Sequence, residues 1–377
     1  MNELQVVERG IFNLFSFLGD NSGCGHIRVI FPYLYIPHLR AEGYKFGAQY
    51  SSYFIDDLNF YKQFTLVQFQ RSATKDQLNM IKHFKNQVQK FHKIAIVYEI
   101  DDLLTEIPEW NFACAYYKEN LKHIEEMMQI VDGITVSTEY LKNIYTKYNS
   151  KIAVVPNRLC KMLWGEIEPA HERREPNKKI RIGYHGSGNH FCDSRSKEYK
   201  DGIRGGDFND KLLNYIRKTV DDVQWVFSGA IPPELNDVRD KIEYHNWVNV
   251  LEFPSKVKSH KLDICLAPLI DNIFNRSKSN IKLLESVALG IPIVCSDLES
   301  YKESYLKTND DDEFIGYIEK LVADQDFRRL TFEKNYDTIG LQDKLWWEGR
   351  DRNYSNVYKY VDSYLSLFGK RLKDGIY

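Results

Sequence analysis

Short apolar runs alternate with amphipathic stretches along most of the chain. In the first half, the apolar runs predict buried strands at 11–17, 64–70, 94–100, 133–137 and 152–156. In the second half they predict strands at 179–184, 225–229, 248–253, 264–267 and 291–294. Amphipathic segments predict helices at 76–93, 112–130, 138–148, 310–323 and 325–335. This alternation is typical of doubly wound α/β folds, and it predicts two such domains.

A less regular, charged segment at 159–179 separates the two halves and indicates a linker. We therefore expect one doubly wound domain over 1–165 and a second over 178–340. The remaining stretch, 341–377, is rich in aromatic residues and predicts a long helix at 341–368 that packs on protein.

The stretch RSKSNIKLLESVALGIPIVCSD, at 276–297, predicts a helix followed by a buried strand. The helix is expected to run from Asn280 to Leu289. Ser277 and Ser279 are candidate N-caps, and Gly290 stands where a left-handed residue would end the helix.

Lys278, Lys282 and Glu285 share the polar face of this predicted helix. The face begins at the helix N-terminus, where free backbone N–H groups and two lysines favour an anion such as phosphate. A carboxylate one turn further on could accept hydrogen bonds from a ribose diol. The pattern therefore indicates a nucleotide site, although an amphipathic helix whose charges only keep it soluble would look the same.

Two further candidate groups lie in the first half of the chain. A glycine-rich loop follows the first predicted strand, and in it Gly23 and Gly25 would let the backbone approach a ligand, with His26 and Arg28 directed toward phosphate or acceptor. An ordinary turn would give the same residues. Asp101 and Asp102 follow the strand at 94–100, and the carboxyl ends of parallel strands are where α/β sheets bind ligands. Helix-start acids or a surface turn are the alternative.

In the second half, Gly186, Ser187 and Gly188 follow a predicted strand and could place backbone N–H groups against a pyrophosphate. His190 and Asp193 in the same loop are equally explained as caps of the next helix. The segment 194–207 predicts an exposed loop, which is either an acceptor-contact surface or a solvated insertion.

Composition excludes several classes of protein. The chain has 377 residues, of which 43% are hydrophobic and 28% charged, which is enough for two cores and unlike a disordered protein. The net charge of -2 argues against a general polyanion binder but leaves room for a local basic face. The six cysteines are scattered without metal-ligand spacing, so we expect reduced thiols in a cytoplasmic protein. We expect no signal peptide, because the first residues are interrupted by charges, and no stable membrane insertion.

Four segments in order resemble the nucleotide-binding half of retaining, glycogen-synthase-like GT-B glycosyltransferases, of the family 4 and family 1 type. They are RIGYHGSGNH at 181–190, WVFSGA at 225–230, LDICLAPL at 262–269 and KSNIKLLESVALGIPIV at 278–294. The resemblance implies two Rossmann-like domains facing a central cleft, with the C-terminal helix crossing back to the N-terminal domain. It also implies a hexosyl- or pentosyltransferase that keeps the anomeric configuration, takes a UDP-sugar as donor, and requires no metal or cofactor.

The resemblance also implies roles for individual residues. Lys278 and Lys282 would stabilise the leaving phosphate, and Asp101 or Asp102 would bind the acceptor or remove its proton. Many members carry a second donor-sugar glutamate eight positions before Glu285, where this chain has Ser277, which leaves the donor sugar open. The expected donor-binding residues are Gly186, Ser187, Gly188, Ser228, Gly229, Phe253, Arg276, Ser279, Asn280 and Glu285.

The segment SGCGHIRVIFP at 22–32 is also similar to predicted bacteriophage glycosyltransferases, some of which modify hydroxymethylcytosine in DNA. The expected acceptor is therefore hydroxymethylated phage DNA, in the host cytoplasm. A glycan acceptor in surface polysaccharide synthesis and a non-catalytic nucleotide-sugar-binding protein are the alternatives. DNA would need a basic strip beside the cleft, for which 75–93 and 195–204 are the candidates.

Overall fold

The computed structural model describes residues 11–92, 94–173, 176–191, 206–370 and Leu372. Two parallel six-stranded sheets form its framework. The strands of the first sheet are β1 (Ile11–Phe17), β2 (Lys45–Ser51), β3 (Leu66–Gln70), β4 (Ala95–Ile100), β5 (Gly133–Val136) and β6 (Ile152–Val154). Their spatial order is β2-β1-β3-β4-β5-β6, and every neighbouring pair is parallel.

The second sheet has the same architecture. Its strands are β7 (Arg181–Gly186), β8 (Gln224–Gly229), β9 (Glu243–His245), β10 (Ile264–Ala267), β11 (Ile293–Cys295) and β12 (Leu306–Lys307). They lie in the order β12-β11-β10-β7-β8-β9, again with parallel neighbours.

Helices cover both faces of each sheet. The longer ones are α1 (Lys75–His83), α2 (Cys114–Ile130), α3 (Glu139–Tyr145), α4 (Asp210–Thr219), α5 (Phe253–Ser259), α6 (Ile281–Ala288), α7 (Asp311–Ala323), α8 (Gln325–Ile339) and α9 (Ser355–Ser366). Shorter helical turns include Gly23–Gly25, His26–Ile30, Phe31–Tyr35, Phe84–Gln89, Lys161–Trp164 and Ile273–Ser277. None of the described helices combines the length and apolarity needed to cross a bilayer.

Helix α9 returns to the first sheet, which confirms the predicted crossing of the C-terminal helix. Its buried face, which includes Val357, Val361 and Leu365, packs in one cluster with Leu14 of β1 and Val97 of β4. The helix is much shorter than the predicted 341–368. Asp343, Gly349, Arg352 and Tyr354 all have positive φ, so the backbone before α9 turns repeatedly and cannot be helical.

The structure corrects the predicted secondary structure in other places as well. The predicted strand 248–253 is not a strand, because Phe253 opens helix α5 with Pro254 in its first turn, and the neighbouring strand β9 lies earlier. Strand β2 was not predicted, because it is a largely exposed edge strand without an apolar run.

Candidate active site

A cleft with a volume of 430 Å³ opens between the two domains, at the carboxyl ends of strands β1 and β7. This is the position where open α/β sheets bind ligands. The first domain contributes Asn21, Ser22, Gly23 and Ile27 to its wall, and the second contributes His185, Gly186, His190, Trp247, Val248, Asn249, Val250, Phe253, Ile281, Lys282 and Glu285. The site is therefore built by both domains.

Helix α6 forms one wall of the cleft. Its N-cap is Asn280, and no side chain caps the first N–H groups. Ser277 and Ser279 are therefore not caps, and Ser277 instead donates to the carbonyl of Ile273 at 2.7 Å. The helix ends before Gly290, whose φ of +71° confirms the predicted left-handed stop. The uncapped N–H groups leave a positively polarised helix end beside the cleft.

Lys282 is buried, with 8% of its surface exposed. Its Nζ donates to the carbonyl of His185 and lies 4.4 Å from the centroid of the Tyr184 ring. Burial lowers the pKa of Lys282, and Glu285 opposes that shift. The sequence left open that the charges of α6 only keep the helix soluble. Such a charge would stay in water, so this alternative is wrong for Lys282.

Glu285 lies one turn after Lys282 and accepts at Oε2 from His185, 2.8 Å from Nε2. His185 is itself buried and packs against Phe253, with ring centroids 5.5 Å apart. A carboxylate has four lone-pair positions, so one bond to His185 leaves Glu285 able to accept from a diol as well.

The other cationic candidates differ in their surroundings. Lys278 is half-buried, with Nζ 4.5 Å from the Phe274 ring centroid. Burial lowers the pKa of His190, and Lys278 and Lys282 lower it further, against the opposing bond from Asp207. The two lysines and His190 therefore lie close enough to interact.

Arg276, in contrast, is exposed, and its guanidinium is paired with Asp271 at 2.5 and 2.7 Å. It does not line the cleft.

The loop after β7 brings Gly186 and His190 into the cleft, with Ser187 and Gly188 between them. His190 donates to Asp207, with Nδ1 2.7 Å from Oδ2, which fixes the end of this loop to another segment of the second domain. Asp193 and the rest of the predicted loop, 192–205, lie outside the described residues.

Gly229 ends β8 with a φ of +91°, and a Cβ there would lie 2.5 Å from the carbonyl oxygen of Gly186 and 2.9 Å from the Trp247 ring. Glycine is therefore required for this close packing. Ser228 is buried and hydrogen-bonded to His260 Nδ1 at 3.2 Å, so its hydroxyl is engaged behind the cleft wall. Sequence reasoning missed Trp247, which is 61% exposed on the cleft.

The glycine-rich loop of the first domain lies opposite. Gly23 lines the cleft, Gly25 is buried in the same short turn, and His26 bonds the carbonyl of Ser22 at 2.8 Å. The prediction that Arg28 points toward phosphate or acceptor is wrong. Arg28 is 1% exposed and pairs with the buried Glu99 at 2.7 Å.

Asp101 and Asp102 follow β4, as predicted, but have different environments. Asp101 is paired with Arg71 at 3.1 Å. Burial would raise the pKa of Asp101, but the guanidinium groups of Arg71 and Arg28 outweigh it and hold the pKa below its usual range. Asp102 is half-buried and accepts from the backbone N–H of Leu103 at 3.1 Å. Neither carboxylate lines the cleft itself, and Asp101 is ionised at neutral pH.

His260, behind the cleft wall, makes stability depend on pH. Burial lowers its pKa to about 4, helped by His245, whose ring stacks on it 3.9 Å away. The unfolded chain therefore takes up a proton near pH 6.5 that the folded chain takes up only near pH 4, and stability is lost as the pH falls through this window. We expect the wild type to lose about 2 kcal/mol more than a His260→Phe variant between pH 7 and pH 5.

Urea denaturation of both proteins at the two pH values measures this difference. The exposed His38 offers a matched control, and His38→Phe should keep the wild-type dependence. An equal loss in the wild type and His260→Phe would contradict the prediction.

Over the described part of the chain, no cluster of three or more histidine, cysteine or acidic side chains could hold a metal ion. The expectation that the reaction requires no metal stays a prediction.

Comparisons with known proteins bear on the fold. No protein-family profile matches the chain, and no curated protein matches its sequence. Among solved structures, a glycosyltransferase from Rickettsia africae ESF-5 is similar, with a TM-score of 0.59 and 11% identity, over 96% of this chain and 99% of that one.

Two weaker similarities fall below a TM-score of 0.5. One is to the glycosyltransferase of kitacinnamycin, with a TM-score of 0.41 and 11% identity over 96% of this chain and 99% of that one. The other is to a UDP-N-acetylglucosamine 2-epimerase from Rickettsia bellii, with a TM-score of 0.45 and 11% identity over 95% and 97%. With its paired parallel sheets and returning C-terminal helix, the chain has the two-domain GT-B fold, which it shares with the Rickettsia africae glycosyltransferase.

Proposed function

We propose that this protein is a glycosyltransferase that moves a sugar from a nucleotide-sugar, a UDP-sugar in the first instance, to an acceptor hydroxyl with retention of configuration. One observation carries the proposal. The uncapped start of α6, the buried cation of Lys282 and the carboxylate of Glu285 follow one another along one wall of an interdomain cleft. In that order they match the phosphate and the ribose of a nucleotide diphosphate.

The charges suggest how such a site would act. When the bond between the anomeric carbon and the phosphate oxygen breaks, negative charge grows on the leaving phosphate. A fixed ammonium in a poorly hydrated position stabilises that charge more than the ground state, which lowers the barrier. Lys282 is the strongest candidate because it is buried, and Lys278 lies beside it. Glu285 would hold the ribose and take no part in the bond changes.

For the acceptor, we propose hydroxymethylcytosine in DNA, on the similarity of segment 22–32 to predicted phage glycosyltransferases. Of the two basic segments that DNA would need, 195–204 lies outside the described residues. In the other, 75–93, Lys82 pairs with Glu126 at 2.5 Å and Lys85 pairs with Asp132 at 3.1 Å.

A specific observation favours a saccharide acceptor as the second candidate. Three aromatic side chains lie exposed at the end of the edge strand β2 and just after it, namely Tyr50, Tyr53 and Phe54. Ser52 between them donates to Asn21 of the cleft at 3.0 Å, so the group borders the cleft. Asp56 and Asp57 follow, and their charge would repel a phosphate backbone but not a neutral sugar.

The test is a transfer assay with UDP-, GDP- and ADP-sugars, each with hydroxymethylcytosine DNA, unmodified DNA or oligosaccharides, read by mass spectrometry. A hexose or pentose mass on the hydroxymethylated nucleoside supports the DNA acceptor, and the same mass on an oligosaccharide supports the second candidate. Absence of both donor hydrolysis and transfer with every donor would contradict the proposed function.

Asp101 and Asp102 separate an enzyme from a non-catalytic nucleotide-sugar-binding protein. We expect an Asp101→Asn, Asp102→Asn double variant to lose about 100-fold or more in transfer rate, since a positioned general base contributes that much, while nucleotide binding stays at the wild-type level. Calorimetry measures binding and mass spectrometry the rate. A transfer rate equal to the wild type would contradict a role for either carboxylate.

A further inference from the structure

A chain of hydrogen bonds crosses from the core of the first domain to the start of helix α6. It begins at the buried pair of Glu99 and Arg28, where Arg28 Nε donates to Glu99 at 2.7 Å. Arg28 Nη1 then donates to Asn157 Oδ1 at 2.9 Å. Asn157 Nδ2 lies 2.8 Å from the hydroxyl of Ser279, which immediately precedes the N-cap of α6.

The direction of every bond in this chain is fixed by chemistry. A guanidinium can only donate, so the side of Asn157 that faces Arg28 must be its carbonyl oxygen. The amide nitrogen therefore faces Ser279, and since it carries only donors, the Ser279 oxygen must accept. The proton of the Ser279 hydroxyl is then left for a different acceptor.

The surroundings of Ser279 favour an anion as that acceptor. Ser279 is half-buried between Lys278 and the uncapped start of α6, and among the described residues Asn157 is its hydrogen-bond partner. We propose that Asn157 is a positioning residue, which orients the Ser279 hydroxyl to donate to a phosphate group of the donor. This inference rests on the proposed function and extends it to a residue of the opposite domain.

Burial of the partners favours this orientation of the Asn157 amide. Arg28, Glu99 and Asn157 are 1%, 0% and 7% exposed. Arg28 Nη1 also donates to the carbonyl of Val155, so the guanidinium is held from two sides. Turning the Asn157 amide over would place its N–H groups against the guanidinium of Arg28 and remove the oxygen that accepts from Nη1, which is costly for buried groups.

The replacement Asn157→Asp reverses the last bond. A carboxylate accepts from Arg28 and from Ser279 together, so the Ser279 proton is withdrawn from the ligand. We expect Ser279→Ala and Asn157→Ala to weaken UDP binding about 10-fold and Asn157→Asp about 100-fold, because one bond to a charged group is lost and in the last case a negative charge is added. Binding of uridine, which has no phosphate, should not change in the alanine variants.

A double-variant cycle separates positioning from general damage to the fold. If Asn157 acts through Ser279, Asn157→Ala adds nothing further in a Ser279→Ala background. The expected loss in the transfer assay falls on kcat more than on KM, since phosphate charge grows as the bond breaks. Asn149→Ala is a matched control, because this asparagine bonds the carbonyls of Met128 and Val131 within the first domain.

Calorimetry with UDP and uridine on the wild type and these variants decides the question, with thermal denaturation as the check on folding. Equal losses for UDP and uridine, additive losses in the cycle, or wild-type UDP binding in Asn157→Asp would overturn the role of Asn157 and leave the proposed function standing. A wild-type protein that binds none of UDP, GDP and ADP would overturn both.

Discussion

Replacing Lys282 by methionine is expected to lower the rate of donor cleavage about 100- to 1,000-fold, the usual loss when one fixed transition-state donor is removed. The ammonium is buried against the carbonyl of His185 and the ring of Tyr184. Its surroundings therefore need little reorganisation when negative charge develops on the phosphate. Methionine keeps the length of the side chain and removes only the charge and the donor. The rate of UDP release from the UDP-sugar that the wild type turns over measures the effect.

Folding must be followed in the same experiment, because the variant leaves the His185 carbonyl without its donor. We expect that change to cost about 1–2 kcal/mol of stability, too little to unfold a protein of this size. Lys218 on α4 is exposed and provides the control, and Lys218→Met should cleave the donor at the wild-type rate. A wild-type rate in Lys282→Met would remove Lys282 from the mechanism.

The second large effect is expected from Glu285→Ala, which should weaken UDP binding about 100-fold through the loss of two charge-assisted hydrogen bonds to the ribose. The ligand 2′,3′-dideoxy-UDP lacks both hydroxyl groups. We therefore expect the wild type to bind it about 100-fold more weakly than UDP, and the variant to bind the two ligands equally. Isothermal titration calorimetry with both ligands gives the four affinities.

The variant also leaves His185 without its carboxylate partner, so a change in the fold has to be distinguished from a change in recognition. Glu319→Ala on α7 removes an exposed carboxylate from the same domain and should leave both affinities unchanged. If Glu285→Ala still prefers UDP over the dideoxy ligand by the wild-type factor, Glu285 does not hold the ribose.

The sequence predicted the parts of the fold that follow from local hydrophobic pattern. The strands of the first sheet other than β2 lie where the apolar runs are, because fully buried parallel strands are apolar on both faces. Helix α6 and its stop at Gly290 were also predicted, since helical spacing and a glycine just after the last helical residue are both visible in the sequence.

Each error has its own physical reason. Strand β2 has exposed positions on an edge, so it has no apolar run to detect. The stretch before α9 has the apolar and aromatic content of a helix, yet Asp343, Arg352 and Tyr354 have positive φ there, which residues of these types adopt rarely. Segment 248–253 has the composition of an apolar run, but its last residue, Phe253, opens helix α5, with Pro254 in the first turn.

In the candidate site, too, some features follow from the local sequence and others only from the tertiary structure. The sequence by itself determined that Lys282 and Glu285 lie about one turn apart near a helix N-terminus, because residue spacing on a helix is a local property. Only the tertiary structure decided that Lys282 is buried, that Arg28 pairs with Glu99, and that Trp247 reaches the cleft. Burial and partner choice depend on residues distant in the chain, such as Asn157 and Ser279, and no local pattern records which of them meet.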